Sequence, residues 1–508
     1  MAGLFSRILS YPPLALLKGH LSKSHLAHRF SRGVFWTLVG NVTWRLLSAI
    51  STITVARILG ARAFGEYGMI QSTVAMFSVY AAFRLGNTST KYVAEYRTRQ
   101  PEKAGRILRL TLLVSFILCS VVGMVLFIAS PYLANHVLNR PELATALGLG
   151  GVLIFFLIYG NVKQCALAGF ESFKTIAKVN LTRGMATLVF CIPLAYFWGV
   201  EGAIGGLVIV AALILIQLSI LLKRERNHAR FPHHVPLKEI KKEIPILWSF
   251  ALPGLLVGIL IAAMMWLGRL FLTRREFGYT ELGVFEAANQ WQAIILFLPA
   301  ALSSVILPIL SETFGKESNN EFKAAVSMQI QAFCLVTLPI VIFAIGFSKP
   351  LAAVFGHGFE NAAGVIPILM ISGYFNAMNQ SIRQTYDGAG RPWTNLAMYM
   401  VWALVYFLGC LQFIPKMGAL GFALTQLVAE AILLLIQGSY VDFILAPMAL
   451  RRHLTLIIYS FLLLGSCYVL QSRVSGSWAV LIMSGFIALG LLPIIIKIKE
   501  MKNTRMVH

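Results

Sequence analysis

Arg45 is the residue whose chemistry most needs an account. It lies in the middle of an apolar stretch, 34–58, too deep for its side chain to reach either end easily, and an ionised group inside hydrocarbon is costly unless a partner or a cavity receives it. Asn41, Arg45, Ser48 and Thr52 recur at spacings of 4, 3 and 4, which sets them on one face of a helix. A guanidinium matches a phosphate or carboxylate bidentately, so the stripe reads as a wall that holds an anionic group. The structural alternative is an arginine neutralised by a buried acid or by helix carbonyls.

A second group sits in the other half of the chain. Trp266 and Arg269 close one apolar stretch, and Glu286, Asn289 and Gln290 open the next. The short connection lets Arg269 and Glu286 pair; held apart, Arg269 is a second phosphate contact and Glu286 a protonatable site. Glu430, midway along 418–440, is either a site for ion or proton coupling or the partner of Arg45. Asn376, Asn379, Gln380 and Gln384 form a polar run that either lines the cytoplasmic end of the cavity or, as the preferred reading, makes interhelical contacts. No catalytic constellation accompanies these residues. The histidines lie in tails and loops, and His228, His233 and His234 share a basic loop without acidic or cysteine partners, so no metal site is expected. No Gly-Lys-Ser/Thr phosphate loop occurs. The sequence therefore predicts neither an enzyme nor a cofactor.

The elements that must position these side chains are membrane helices. The chain is 58% hydrophobic and 12% charged, against about 25% charged in a soluble domain. Apolar runs long enough to span a bilayer fall near 34–58, 67–85, 107–130, 143–161, 177–198, 202–222, 245–272, 283–310, 324–347, 362–382, 393–414, 418–440, 454–471 and 477–497. The fold class is all-α, a polytopic bundle of about fourteen transmembrane helices. No sustained period-2 pattern supports a β-barrel. The six cysteines sit in or beside apolar runs and read as small core residues.

Most of the 43 Lys and Arg residues fall in alternate connections if both termini are cytoplasmic. Orientation and contact with anionic lipid account for the net charge of +23, and nucleic acid is not an expected partner. Residues 1–33 contain no acid and are interrupted by Pro12-Pro13. They read as a basic amphipathic segment on the cytoplasmic face.

The chain also repeats itself. Gly60-Ala61-Arg62-Ala63-Phe64-Gly65-Glu66-Tyr67 and Gly278-Tyr279-Thr280-Glu281-Leu282-Gly283-Val284-Phe285 share Gly-x-x-x-(Phe/Leu)-Gly-x-aromatic, and both read as turns between spans. Gly202-Ala203-Ile204-Gly205 answers Gly418-Ala419-Leu420-Gly421, and Gln164 through Gly169 answers Gln384 through Ala389. Three matches in near register indicate duplication, and an even number of spans per copy makes the two repeats parallel. The expected organisation is an N-lobe of six helices (34–222), a basic inter-lobe loop (223–243), a C-lobe of six (244–440), and a helix pair with a basic tail (441–508).

Val55-Ala56-Arg57-Ile58-Leu59-Gly60 through Tyr67 resembles the helix 1–2 junction of polysaccharide-precursor flippases of the O-antigen type. These belong to the multidrug, oligosaccharidyl-lipid and polysaccharide exporter superfamily, with the multidrug antiporters and the lipid II flippase. The resemblance covers most of 34–440, and the added hairpin at 454–497 brings the count to fourteen, as in the lipid II flippase. It implies a V-shaped bundle in a bacterial inner membrane that flips an undecaprenyl-pyrophosphate-linked glycan by alternating access. It further implies H+ or Na+ as driving ion and polysaccharide polymerase or export machinery as partners. Arg45 and Arg269 match the family's pyrophosphate-holding role by position. An ion-coupled multidrug or small-molecule antiporter is the alternative. Glu430 and Glu286 would serve it, although Arg45 at mid-depth opposes cationic cargo. A membrane glycan polymerase or ligase is disfavoured by the short outer connections.

Overall fold

In hydrocarbon every backbone N–H and C=O must be paired within the segment, so apolar runs of this length become helices. The computed structural model describes residues 25–83, 85–97, 100–228, 245–296, 319–388, 391–445, 454–473, 485–486 and 489–490. The expected amphipathic segment up to residue 24, the basic loop from 229 and nearly all of the fourteenth span lie outside the described residues.

His25–Ala82 is helical except at Gly60 (φ 73°, ψ 170°), which divides it into α1 (25–59) and α2 (61–82). Leu85–Tyr96 is α3, Pro101–Tyr132 α4 and Ala144–Gly169 α5. Phe173–His228 breaks at Trp198 and Gly199 into α6 (173–197) and α7 (200–228), so helix continues six residues into the polar stretch that the sequence assigns to a loop. Pro245–Thr273 is α8, Gly278–Ile295 α9, Asn319–Gly346 α10, Ser348–Ala353 α11 and Ala362–Gly388 α12. Pro392–Tyr440 breaks at Gly418 into α13 (392–417) and α14 (419–440), and Leu454–Arg473 is α15. Eight of the described helices, each broken pair taken as one, are long and apolar enough to cross a membrane. The protein is a multi-pass, all-helical membrane protein.

Two of the breaks are tight hairpins. A Cβ on Gly202 would lie 1.8 Å from the Leu194 carbonyl oxygen, and one on Gly421 would lie 2.2 Å from that of Phe413. Residues eight apart in a straight helix are about 12 Å apart, so the chain has folded back at both places. Gly199 (φ 57°, ψ −133°) and Gly418 (φ 60°, ψ −130°) make the two bends with the same left-handed backbone. The duplication therefore aligns Gly199 with Gly418 and Gly202 with Gly421. The sequence match of Gly202 with Gly418 is displaced by three residues, because glycines that bend the chain and glycines that admit a neighbour look alike as letters.

Within the first half, the α1–α2 pair packs on α6–α7, and α5 packs on α4 and on α6–α7; in the second, α13–α14 receives α8 and α12, and α12 receives α10. The halves meet where α1–α2 lies against α8 and α9. Phe116, Val121, Met124 and Ile128 on α4 are exposed and apolar, as a lipid-facing surface requires. The bends at Gly60, Gly199 and Gly418 and the connections 133–143 and 274–277 alternate with the basic connections along the chain, and so fall together at one end of the bundle, called here the hairpin end.

Candidate functional site

The two halves touch through the repeated motif itself. A Cβ on Gly65 would stand 1.8 Å from the Tyr279 carbonyl oxygen and 2.8 Å from the Gly283 nitrogen; one on Gly283 would stand 1.8 Å from the Ala61 oxygen and 3.1 Å from the Gly65 nitrogen. Each contact is the image of the other under the internal repeat. The expected turn is thus mostly helix. Only Gly60 leaves the helical range in the first copy, and in the second the bend falls on Phe277, just before Gly278. The second glycine of each motif allows two helices to meet backbone to backbone.

Side chains close the seam around this point. Tyr279 donates its hydroxyl to the Leu138 carbonyl (3.0 Å), and Phe64 packs edge-on against Phe359. Trp266 Nε1 donates to Thr73 Oγ1 across the seam at 2.9 Å. A Cβ on Gly68 would lie 2.7 Å from Glu286 Cγ, so the small residue of one repeat makes room for the acid of the other.

Arg269 and Glu286 are paired. Arg269 Nε donates to Glu286 Oε1 at 2.7 Å with both side chains about a tenth exposed or less, Arg269 Nη1 donates to the Met265 carbonyl, and Asn289 Nδ2 donates to Glu286 Oε2 at 3.2 Å. Charge compensation and hydrogen bonds to both oxygens are what make a buried pair tolerable. Gln290 is half-buried beside this group on α9.

On α1 the expected stripe Asn41, Arg45, Ser48 and Thr52 is half-buried along its length. Arg45 Nη1 donates across the seam to the carbonyl of Ala293, in the last turn of α9, at 3.1 Å. Asn41 belongs to a network that the sequence reading missed. Asn180 on α6 donates to Asn41 Oδ1 (3.0 Å), Gln164 on α5 donates to Asn180 Oδ1 (3.3 Å), and Arg183 on α6 donates to Gln164 Oε1 (2.9 Å) while lying 5.6 Å from the Trp44 ring. Arg183 falls within the expected span 177–198, and α6, beginning at Phe173, places it about three turns in. The signal available in the sequence was its spacing of three from Asn180, one helical face.

Glu430 is not the partner of Arg45. Asn376 Nδ2 donates to its Oε1 (3.0 Å) and Asn379 Nδ2 to its Oε2 (2.7 Å), so α12 supplies amides to an acid on α14. Around it, Asn379 Oδ1, Trp402 Nε1, Tyr406 OH and Gln426 Nε2 are buried without a hydrogen-bond partner. Among the described residues its hydrogen bonds come from neutral groups, and of the unsatisfied atoms Asn379 Oδ1 and the Tyr406 oxygen are acceptors, an arrangement suited to a proton or a small cation. Gln384 accepts from Gln329 on α10, and Gln380 donates to Asn376 within α12, so the run makes interhelical contacts through Asn376, Asn379 and Gln384 and an intrahelical one through Gln380.

The sequence profile of a family described as polysaccharide biosynthesis protein matches residues 30–314, and that of a family described as MatE matches residues 253–411. The EPS I polysaccharide export inner membrane protein EpsE of Ralstonia nicotianae is 22% identical over 323 residues, covering 61% of this chain and 70% of the relative. The lipid III flippase of Escherichia coli is 22% identical over 291 residues, covering 54% and 67%. Among solved structures, the lipid II flippase MurJ in an inward closed conformation superposes with a TM-score of 0.67 at 15% identity, over 90% of this chain and 97% of its own. An inward-facing multidrug MATE transporter superposes with a TM-score of 0.63 at 15% identity, over 79% and 97%.

Proposed function

The chain belongs to the polysaccharide biosynthesis protein family, and from that premise we propose that it flips a lipid-linked oligosaccharide or polysaccharide precursor across the cytoplasmic membrane by alternating access. The observation that carries the reading is the glycine seam. Two repeats joined at one end by a mutual backbone contact, with polar groups lying deeper along the same interface, form a gate of the kind a rocking two-lobed transporter needs. The relatives named as a polysaccharide exporter and a lipid III flippase support a lipid-linked glycan as cargo; undecaprenyl pyrophosphate is the carrier proposed here.

In this mechanism residues 34–222 and 244–440 act as lobes, with both termini cytoplasmic, and the hairpin end faces outward. The cargo's anionic head enters from the basic end, where Arg45 exchanges the Ala293 carbonyl for a phosphate oxygen, a stronger charge-assisted bond. Arg183, tied through Gln164 and Asn180 to Asn41, positions α1 beside it. The seam then parts as the basic end closes, while the polyprenyl chain stays in lipid. Glu430 is the proposed site for H+ or Na+, since among the described residues its side-chain hydrogen bonds come from neutral amides and no cationic group lies in ion-pair range. Glu286, held by Arg269, is assigned to the structure of the seam.

The test is the pool of lipid-linked glycan in cells lacking the gene, with sidedness read by a membrane-impermeant probe. The expected result is accumulation on the cytoplasmic leaflet with loss of surface polysaccharide. An unchanged pool in a strain that makes such lipids would reject the reading. The match to the MatE profile and the acid among buried aromatics at Trp402 and Tyr406 favour, as second reading, an ion-coupled antiporter of small organic cations. That reading predicts drug sensitivity in the deletion strain and an intact glycan pool.

A further inference from the structure

Over the seam, at the hairpin end, lies a cleft of about 710 Å³ that neither the sequence nor the proposed pathway uses. The first half lines it with Arg62, His136 and Arg140, and the second with Arg274, Arg275 and Phe277. Basic residues are scarce at this end of the bundle, which makes the convergence of four arginines on one cleft informative. Two of them are already satisfied: Arg62 lies 3.6 Å from Glu66, and Arg275 donates to both oxygens of Glu281 at 3.1 and 2.9 Å. Arg140 rests over the Tyr279 ring at 5.4 Å, and Arg274 is exposed; among the described residues neither has a carboxylate in ion-pair range. Glu66 also shares its charge with Arg140, and Glu142 lies in the same electrostatic neighbourhood, so three carboxylates face the four arginines and the cleft's net positive charge is small and centred on Arg274.

Phe277 is a second, independent observation. Its backbone is left-handed (φ 58°), a conformation that residues with a Cβ rarely adopt. The side chain so placed is 76% exposed at the cleft, and burial therefore does not explain the strain. An aromatic face beside paired guanidinium groups suits a ligand with one apolar and one anionic surface, which a sugar ring bearing a carboxylate provides.

We propose that this cleft is a binding site for an anionic saccharide on the outer face, assembled from both halves and complete only while the seam is shut. Phe277 stacks on a pyranose ring, and Arg140 and Arg274 receive its carboxylate. Because opening the seam separates the two sets of side chains, an occupant stabilises the outward-closed state. Glycan already delivered to the outside thereby slows further delivery. The choice of a saccharide as ligand rests on the proposed function, but binding is measurable without transport.

The experiment uses the purified full-length chain in nanodiscs, titrated with trigalacturonate, with neutral maltotriose and with inorganic pyrophosphate. Trigalacturonate is expected to bind at least tenfold more tightly than maltotriose, and more weakly as salt rises. The double variant Arg140→Gln/Arg274→Gln should lose about tenfold affinity for each arginine, as for a charge-assisted hydrogen bond. Phe277→Ala should weaken trigalacturonate several-fold and leave pyrophosphate unchanged. Equal binding of maltotriose, an unaffected double variant, or pyrophosphate bound as tightly as the uronate would each overturn the site. No binding of any probe, with glycan flipping intact in cells, would remove this site and leave the proposed function standing; binding by a chain whose deletion leaves the glycan pool unchanged would do the reverse.

Discussion

Adding one methyl group at Gly65 should open the seam. Its Cβ would stand 1.8 Å from a backbone oxygen, where contacts under 3.0 Å do not occur, so Gly65→Ala forces the halves at least 1.2 Å apart or distorts a helix. The obstacle is main chain on both sides, which no rotamer change relieves. Overpacking of this kind costs about 1–3 kcal/mol, and the cost falls only on the closed state. Alanine also improves helix propensity by about 1 kcal/mol, but α2 is helical in both states, so that gain cancels. The closed-to-open ratio should therefore fall about 5- to 150-fold. Double electron–electron resonance between spin labels at Glu201→Cys and Lys416→Cys, exposed sites on the two halves at the hairpin end, would report a longer, broader distance distribution. The symmetry of the contact sharpens the test. Gly283→Ala meets the Ala61 oxygen at the same 1.8 Å and must shift the distribution the same way, whereas Gly205→Ala, with nothing within 4 Å, must not. Unchanged distances in Gly65→Ala, or opposite shifts in the two seam variants, would refute the gate.

Three further outcomes follow from the interior charges. Arg45→Ala, which removes the donor to Ala293, should reduce glycan flipping more than tenfold while membrane insertion stays normal, since an intramembrane charge has been deleted; full activity would sink the anion-wall reading. Arg269→Met leaves Glu286 buried without its cation and should destabilise the protein by about 3–5 kcal/mol. Arg269→Met/Glu286→Leu should recover most of that in a thermal-unfolding cycle, and a double variant as unstable as the single would show that the pair is more than mutual compensation. Glu430→Gln keeps an acceptor for Asn376 or Asn379 and should preserve the fold while abolishing the dependence of flux in proteoliposomes on an imposed H+ or Na+ gradient; retained dependence would move coupling elsewhere.

The helices were legible because hydrocarbon leaves the backbone one option, and their spans on the described residues differ from expectation mainly at the ends. Helix extends beyond the lipid-crossing stretch wherever polar side chains continue it, as at Lys223–His228 and in α3. Arg183 lies inside the expected span 177–198, but only its bond to Gln164, 19 residues away on α5, shows it as an interhelical cation. Partner choice was legible only where two residues lie near in sequence, as Arg269 and Glu286 do. The amides that hold Glu430 come from 51 and 54 residues away, and no local pattern names them.

The glycines make the same point at the level of single atoms. Gly60 and Gly199 are needed for a backbone that turns with positive φ, Gly65, Gly283, Gly202 and Gly421 because another segment of the chain occupies the place of a Cβ, and Gly418 for both reasons, its Cβ meeting Arg275 and Glu281. Sequence records both demands with one letter, which is why the second repeat was aligned three residues off at Gly418. The two demands separate under substitution. At the bends ψ is 170°, −133° or −130°, outside the small left-handed region that Asn tolerates, so Ala and Asn are both strained there; at the seam the penalty grows with size, and Asn is worse than Ala. A response at Gly199 that is severe for any side chain, against a size-graded one at Gly65, separates the two demands, and within the repeated motif Gly60 and Gly65 divide the same two tasks, one ending a helix and the other joining the two halves.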